Sequence, residues 1–301
     1  MSALITTGTT PKAMWPGIKE WWGTKYEEHK TEWTHLFEEE TSDKAYEEVV
    51  EQYGFTLPTV KPAGESLNYS TTGQGYTTRY SHVMWANGFM VTYEEMKNNL
   101  YAEVGQRRSQ MLAFSMRQGH EQVCADFYND GFVTNHASEG VPWFSAAHPT
   151  PNGDQSNLLT AADMSEISLE DAGVQVMNAT DARGHKIGLQ MQSLHVSTHD
   201  WYEANRILKS VQQNDTPNNA LNVLRSTGEF PKGIFINHWF DDSDAYFIRT
   251  NAQRGAKHFQ REPVSISEDG VFDNRVQKYA SFDWYTVGRD DWRCGFANRG
   301  A

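Results

Sequence analysis

The chain has 301 residues and a formal net charge of −13, with 26 basic against 39 acidic side chains. That balance argues against a module that grips nucleic acid through its phosphates, which needs a basic face. An apolar fraction of 38% with 13% aromatics excludes a disordered chain, and no apolar run approaches the roughly 20 residues of a membrane span. The length is enough to bury a sizeable core in one or two domains. Met1 to Pro11 lacks a charged-then-apolar export pattern. Cys124 and Cys294 lie far apart without metal-type spacing, as two structural thiols would.

Residues 1–14 are small and polar and read as an arm. From Trp15 to Phe55 eleven carboxylates stand against four lysines, interleaved with Trp15, Trp21, Trp22, Tyr26, Trp33 and Phe37. Aromatics mixed so finely with charge predict short helices and extended pieces whose rings dock on another surface. Leu67 and Tyr69 alternate with polar residues before Thr72-Gly73-Gln74-Gly75. Tyr76, Thr78, Tyr80, His82 and Met84 then resume the period of two. This predicts a β-hairpin within residues 64–92 with a glycine-bearing tip, too isolated to be stable without another surface beneath it.

Thr92-x-x-Glu95 offers a capping box. Met96, Leu100, Val104, Leu112, Met116, Val123 and Phe127 then carry an apolar stripe to Asn129. At about 1.5 Å per residue such a helix runs roughly 50 Å, well beyond a globular average. Residues 135–165 are loop-rich, punctuated by Pro142, Pro149, Pro151 and Asn152-Gly153. Ser168-x-x-Asp171 signals a helix with Leu169, Ala172, Val176 and Ala179 on one face. Gly184 to Val196 reads as a strand, and a further helix carries Trp201, Ala204, Leu208 and Val211. Residues 233–240 and 245–249 read as paired strands across an acidic turn, and the chain after Gln253 is extended almost to its end. Helices and strands mix without βαβ alternation, so the class is α+β.

Chemistry-bearing patterns are sparse. His136, Glu139 and His148 share one loop region and are the best candidates for a metal-dependent hydrolase. No His-Glu-x-x-His helix exists, because His120-Glu121 is followed by Cys124. No Gly-x-Ser-x-Gly elbow or phosphate-cradling loop is present, and His199-Asp200 reads as a helix cap. These patterns predict neither an enzyme nor a bound cofactor.

The distinctive stretch is Val141-Pro142-Trp143-Phe144-Ser145-Ala146-Ala147-His148-Pro149, followed by Gly153-Asp154-Gln155-Ser156-Asn157-Leu158-Leu159-Thr160-Ala161-Ala162-Asp163. It resembles the central signature of the Mu-like branch of tailed-bacteriophage major capsid (head) proteins. Two further blocks fall in the same order. One runs from Ile187-Gly188-Leu189 through Trp201 and Arg206-Ile207-Leu208 to Asn218-Asn219-Ala220. The other is Tyr279 to Ala301, with Gly288, Trp292-Arg293 and Gly300-Ala301. The likeness covers roughly residues 76–301.

The resemblance implies a Hong Kong 97-like fold. Its parts map onto an N-terminal arm over 1–61, the hairpin called the E-loop over 62–91, and a peripheral domain with a long spine helix over 92–165. An axial domain follows over 166–249, with inner loops near Gln212 to Asn219, and 250–301 returns to the peripheral sheet. It also implies self-assembly into hexamers and pentamers of an icosahedral head enclosing double-stranded DNA without sequence-specific binding. The partners implied are a portal at one vertex and separate scaffolding and decoration proteins. The place implied is the virion, after assembly in the host cytoplasm. Trp15, Trp21, Trp22 and Trp33 of the arm and Tyr76, Tyr80 and Trp85 of the hairpin are the expected intersubunit contacts. Some relatives weld their shells through an E-loop lysine, but no lysine lies between Lys61 and Lys97, so no such cross-link is expected from this hairpin. An encapsulin-type nanocompartment of the same fold is the nearest alternative.

Overall fold

The computed structural model describes residues 11–97, 101–212, 221–252, 254–271 and 276–301. The aromatic segment opens with α1, Pro11–Glu28, an 18-residue helix rather than the short pieces its mixed charge suggests. Ile18 and Trp22, one turn apart, form its buried edge against Leu112, Ala113 and Met116 of the long helix further along the chain. Residues 11–14, read as arm from composition, are its first turn, and residues 1–10 lie outside the described residues. In α2, Trp33–Leu36, the amides of Glu32 and Trp33 donate to the Glu121 carboxylate at 3.0 and 2.9 Å. A side chain from a distant helix thereby caps this short one.

Strand β1 is Glu38–Thr41, β2 Tyr46–Tyr53, β3 Gly73–Ser81 and β4 Val83–Val91. The hairpin is real, but its partner strand is not the expected one. β3 pairs antiparallel with β2, Tyr46 facing Ser81 and Tyr53 facing Gly73, so Leu67 and Tyr69 belong to the long connection rather than to a strand. The glycines that resemble a turn are strand residues beneath an aromatic ring. A Cβ on Gly73 would come within 2.9 Å of the Tyr53 ring, and one on Gly75 within 2.7 Å of its hydroxyl.

The capping box forms as expected: Glu95 N donates to Thr92 Oγ1 at 3.3 Å and Thr92 N to Glu95 Oε2 at 3.1 Å. It opens α3, Tyr93–Lys97, and α4 follows over Tyr101–Asn129. At about 1.5 Å per residue α4 is roughly 43 Å long. The expected stripe position Leu100 lies outside the described residues. The loop from 135 to 165 leads to α5, Glu166–Met177, whose N-cap is Ser165, with Ser168 completing a capping box from the third position rather than starting the helix. Its stripe Leu169, Ala172 and Val176 is buried as expected.

The remaining elements are β5 Met191–Val196, α6 Trp201–Lys209, α7 Val223–Thr227, β6 Gly233–Ile236, β7 Tyr246–Thr250, β8 Ala256–Val271, β9 Val276–Arg289 and β10 Gly295–Asn298. β5 starts later than its composition suggests, because Gly184 and Gly188 sit at φ of 87° and 66°, outside strand geometry. Of the loop expected near Gln212 to Asn219, residues 213–219 lie outside the described residues.

Two four-stranded sheets result, ordered β1-β8-β9-β4 and β10-β7-β5-β6, beside the β2-β3 ribbon. β6 and β7, expected to pair, are separated by β5, which takes β6 in parallel and β7 antiparallel. α4 lies across β4 and β9 of the first sheet. The main core sits at the C-terminal end of α4, where Phe127 and Tyr128 meet Trp143 and Phe144 of the signature loop, Phe247 of β7, and Trp292. A Cβ on Gly295 would press within 2.8 Å of the Trp143 ring, so the backbone approach itself requires glycine there. Trp143 is fully buried. Trp143→Ala is expected to lower stability by about 3–5 kcal/mol, read as an earlier denaturant midpoint for the unassembled chain.

Candidate assembly interface

The structure sorts the seven aromatics singled out in the sequence. Trp22, Trp33 and Tyr80 are buried within the chain, Trp21 is half-buried, and Tyr76 and Trp85 stay exposed. Trp15 falls on α1, but its side chain lies outside the described residues. Trp33 stacks between the main core and two histidines, His120 and His258, at 4.7 and 4.3 Å. The Tyr80 hydroxyl donates to Arg289 O at 2.7 Å and accepts from Arg289 N at 3.1 Å, while its ring fills the space that Gly288 leaves open. Tyr80 is therefore the peg that fastens the base of the ribbon to β9. These residues satisfy the chain's own core and leave little surface for a neighbour.

The surface open to a neighbour lies elsewhere. The connection between β2 and β3 carries Phe55, Leu57, Val60, Leu67 and Tyr69, all well exposed, with Val60 at 93%. A second exposed set combines Val83 and Trp85 of β4 with Met111 and Phe114 of α4, while Met84 and Met90 stay exposed on the other face of the strand. Asn87 Nδ2 donates to Ser115 Oγ at 3.1 Å between the strand and helix that carry it. Among the described residues β4 is also an edge strand, paired with β9 alone, which leaves its outer side for further pairing. Exposed large apolar side chains grouped on neighbouring elements mark candidate interaction surface. Sequence reasoning placed Leu67 and Tyr69 in the hairpin but missed Phe55, Leu57 and Val60, whose spacing follows no strand or helix period. The available signal was their presence among Pro58, Pro62 and Gly64, where loops are normally polar.

The residues considered for metal chemistry form a closed network. His148 Nδ1 faces Glu139 Oε1 at 2.7 Å, and Nε2 faces Asn157 Oδ1 at 2.9 Å and Trp143 O at 3.0 Å. Arg289 donates to the other Glu139 oxygen at 3.0 Å, and the His148 ring lies flat on Trp292 at 4.2 Å. His136 is not part of the network; its ring packs on Phe127 at 4.7 Å. With both His148 nitrogens engaged by oxygens, the trio offers no free ligand set, and a hydrolase centre there loses its basis. The network instead ties the signature loop to β9. Asn157 Nδ2 adds bonds to Trp143 O at 2.8 Å and Gly295 O at 2.9 Å.

Two sheets braced by a long helix, with an aromatic ribbon and edge left uncovered, define a subunit of a protein shell. The family model described as phage capsid protein matches residues 75–298: the chain belongs to that family, a structural and not an enzymatic one. No curated protein shows significant similarity to it. Among solved structures it resembles that of Mycobacterium phage Patience, at 11% identity and TM-score 0.56, covering 100% of this chain and 93% of that one. It also resembles Microbacterium phage Oxtober96, at 8% identity and TM-score 0.55, covering 91% and 92%. A virus-like particle from Pyrococcus furiosus is similar at 10% identity and TM-score 0.50, covering 94% and 98%. At these identities the likeness concerns the fold, which is Hong Kong 97-like.

Burial alone would raise the Glu139 carboxyl, but the His148 hydrogen bond and the His148 and Arg289 charges outweigh it and hold the group below its ordinary 4.5. A depressed acid stabilises the fold above its unfolded value and loses that contribution as the pH falls through the folded one. Stability is therefore expected to fall below about pH 4.5. Glu139→Gln is expected to flatten that part of a melting-temperature profile while lowering stability at neutral pH.

Proposed function

We propose that this capsid protein assembles as hexamers and pentamers into the icosahedral head that encloses phage double-stranded DNA. The observation that carries this is the pair of uncovered apolar surfaces, the β2–β3 connection and the β4–α4 face. A single chain gains nothing from exposing them, whereas repeated copies cover one with the other. The expected arm, E-loop, peripheral and axial divisions (1–61, 62–91, 92–165 with 250–301, and 166–249) fit this use, with the ribbon reaching back to Tyr46 as the part that crosses a neighbour's spine helix. Of the residues expected at the hairpin, Tyr76 of the ribbon and Trp85, which sits on β4 against Tyr285, keep exposed rings for that contact.

Heterologous contacts close into rings and shells, and many weak ones act together. The net charge of −13 suits a wall that holds DNA without adhering to it. A portal and separate scaffolding and decoration proteins remain the expected partners, with assembly in the host cytoplasm before packaging. A shell around protein cargo, as in an encapsulin, is a second reading favoured by the likeness to the Pyrococcus furiosus particle. Nuclease-protected DNA in particles from infected cells distinguishes the two.

Trp85→Asp is expected to leave the chain folded but to weaken each contact by about 2 kcal/mol. Closed particles then disappear from negative-stain micrographs and smaller species replace them. The expectation of no cross-link covers the stretch between Lys61 and Lys97, whereas Lys61 itself lies exposed in the β2–β3 connection; a Lys61→Ala variant whose particles run like wild type on a reducing denaturing gel is the expected result if no isopeptide bond forms there.

A further inference from the structure

Beneath the β4–α4 face lies a cluster that the core does not explain. His120 and Cys124 stand four residues apart on one face of α4, and His258 reaches them from β8. All three are buried, and one ligand atom from each lies within 4.8 Å of the others. The two imidazoles point their Nε2 atoms at each other across 3.0 Å. Two nitrogens on one tetrahedral zinc ion stand about 3.3 Å apart, and a nitrogen and a thiolate sulfur about 3.6 Å, so small shifts seat an ion among the three.

Asp283 supplies the second layer of such a site. Its Oδ2 lies 2.8 Å from His120 Nδ1, which fixes the tautomer that turns the Nε2 lone pair inward, the arrangement found behind zinc-bound histidines. Gln260 Nε2 holds the other Asp283 oxygen at 2.8 Å. A divalent ion against one thiolate and the Asp283 carboxylate leaves the buried group electrically neutral, which removes the main cost of burying charge. A cleft of about 180 Å³, lined by Trp85, Asn87, Ser115, Tyr285, His120 and Asp283, opens beside one of the three ligands, His120. It gives solvent a path to the His120 side of the cluster.

We propose that His120, Cys124 and His258 form a structural site for a zinc-class transition metal. Binding releases the thiol proton, and the proton held between the two imidazoles moves to His258 Nδ1, so both histidines ligate as neutral rings. It ties the middle of α4 to β8 and, through Trp33 stacked on both histidines, to the N-terminal segment.

The test is the metal content of wild-type protein purified from zinc-supplemented cells, beside Cys124→Ser and His258→Gln, followed by Co2+ uptake. One zinc per chain in the wild type, lost in both variants, is expected. So is a near-ultraviolet thiolate-to-cobalt band that Cys124→Ser abolishes, together with a lower melting temperature after chelation. Wild-type protein that holds no metal and gives no such band would overturn the proposal, leaving the histidine pair as an ordinary hydrogen bond. Zinc retained equally by both variants would overturn it too, by placing the ion elsewhere. The wild-type measurements need no variant to fold.

Discussion

Ring packing at the C-terminal end of α4 holds this molecule together. Tyr128 meets Trp143 at 4.7 Å and Phe247 at 5.4 Å, while Trp143 stacks on Phe144 at 4.5 Å. These rings come from the long helix, the signature loop and the second sheet, so one cluster fixes three parts of the chain that are distant in sequence. Aromatic pairs in offset and edge-on geometry add to the area they bury. Placing so many at one junction lets the rest of α4 extend as a spine along the first sheet.

Polar groups then set direction where apolar packing cannot. Asn157 and His148 bind the backbone of the signature loop and of the C-terminal segment, and Arg289 links that network to β9 through Glu139. The same residue, Arg289, holds the Tyr80 hydroxyl through its backbone. The ribbon therefore leaves the body from a fixed base. Its connection keeps Phe55, Leu57, Val60, Leu67 and Tyr69 exposed, which is the geometry a subunit needs if its stability is to be completed by neighbours.

Local periodicity made part of this visible in the sequence. The long helix, its Thr92–Glu95 cap and the stripe Leu169, Ala172 and Val176 each follow from residues within one or two turns of each other. The signature around Trp143 carried the family and the fold. What escaped depends on partners far along the chain. β3 pairs with a strand on the other side of a long connection, so Gly73 and Gly75 look like a turn until Tyr53 is placed over them. β5 enters between β6 and β7 for the same reason. Trp33 and Tyr80 look exposed among charged neighbours, yet His258 and Arg289, both distant in sequence, bury them. His120 and Cys124 fail the helical zinc pattern when read alone, and only the fold brings His258 to them.

The central claim is that residues 54–72 and the β4–α4 face are uncovered in one chain and covered in the shell. Hydrogen–deuterium exchange measured on assembled particles and on dissociated subunits tests it most directly. Peptides from 54–72 should exchange fast in free subunits and become strongly protected on assembly, the outward amides of 83–91 should gain protection over the half already bonded to β9, and those around Trp143 should stay protected in both. Equal exchange of the two segments in both states would contradict the account.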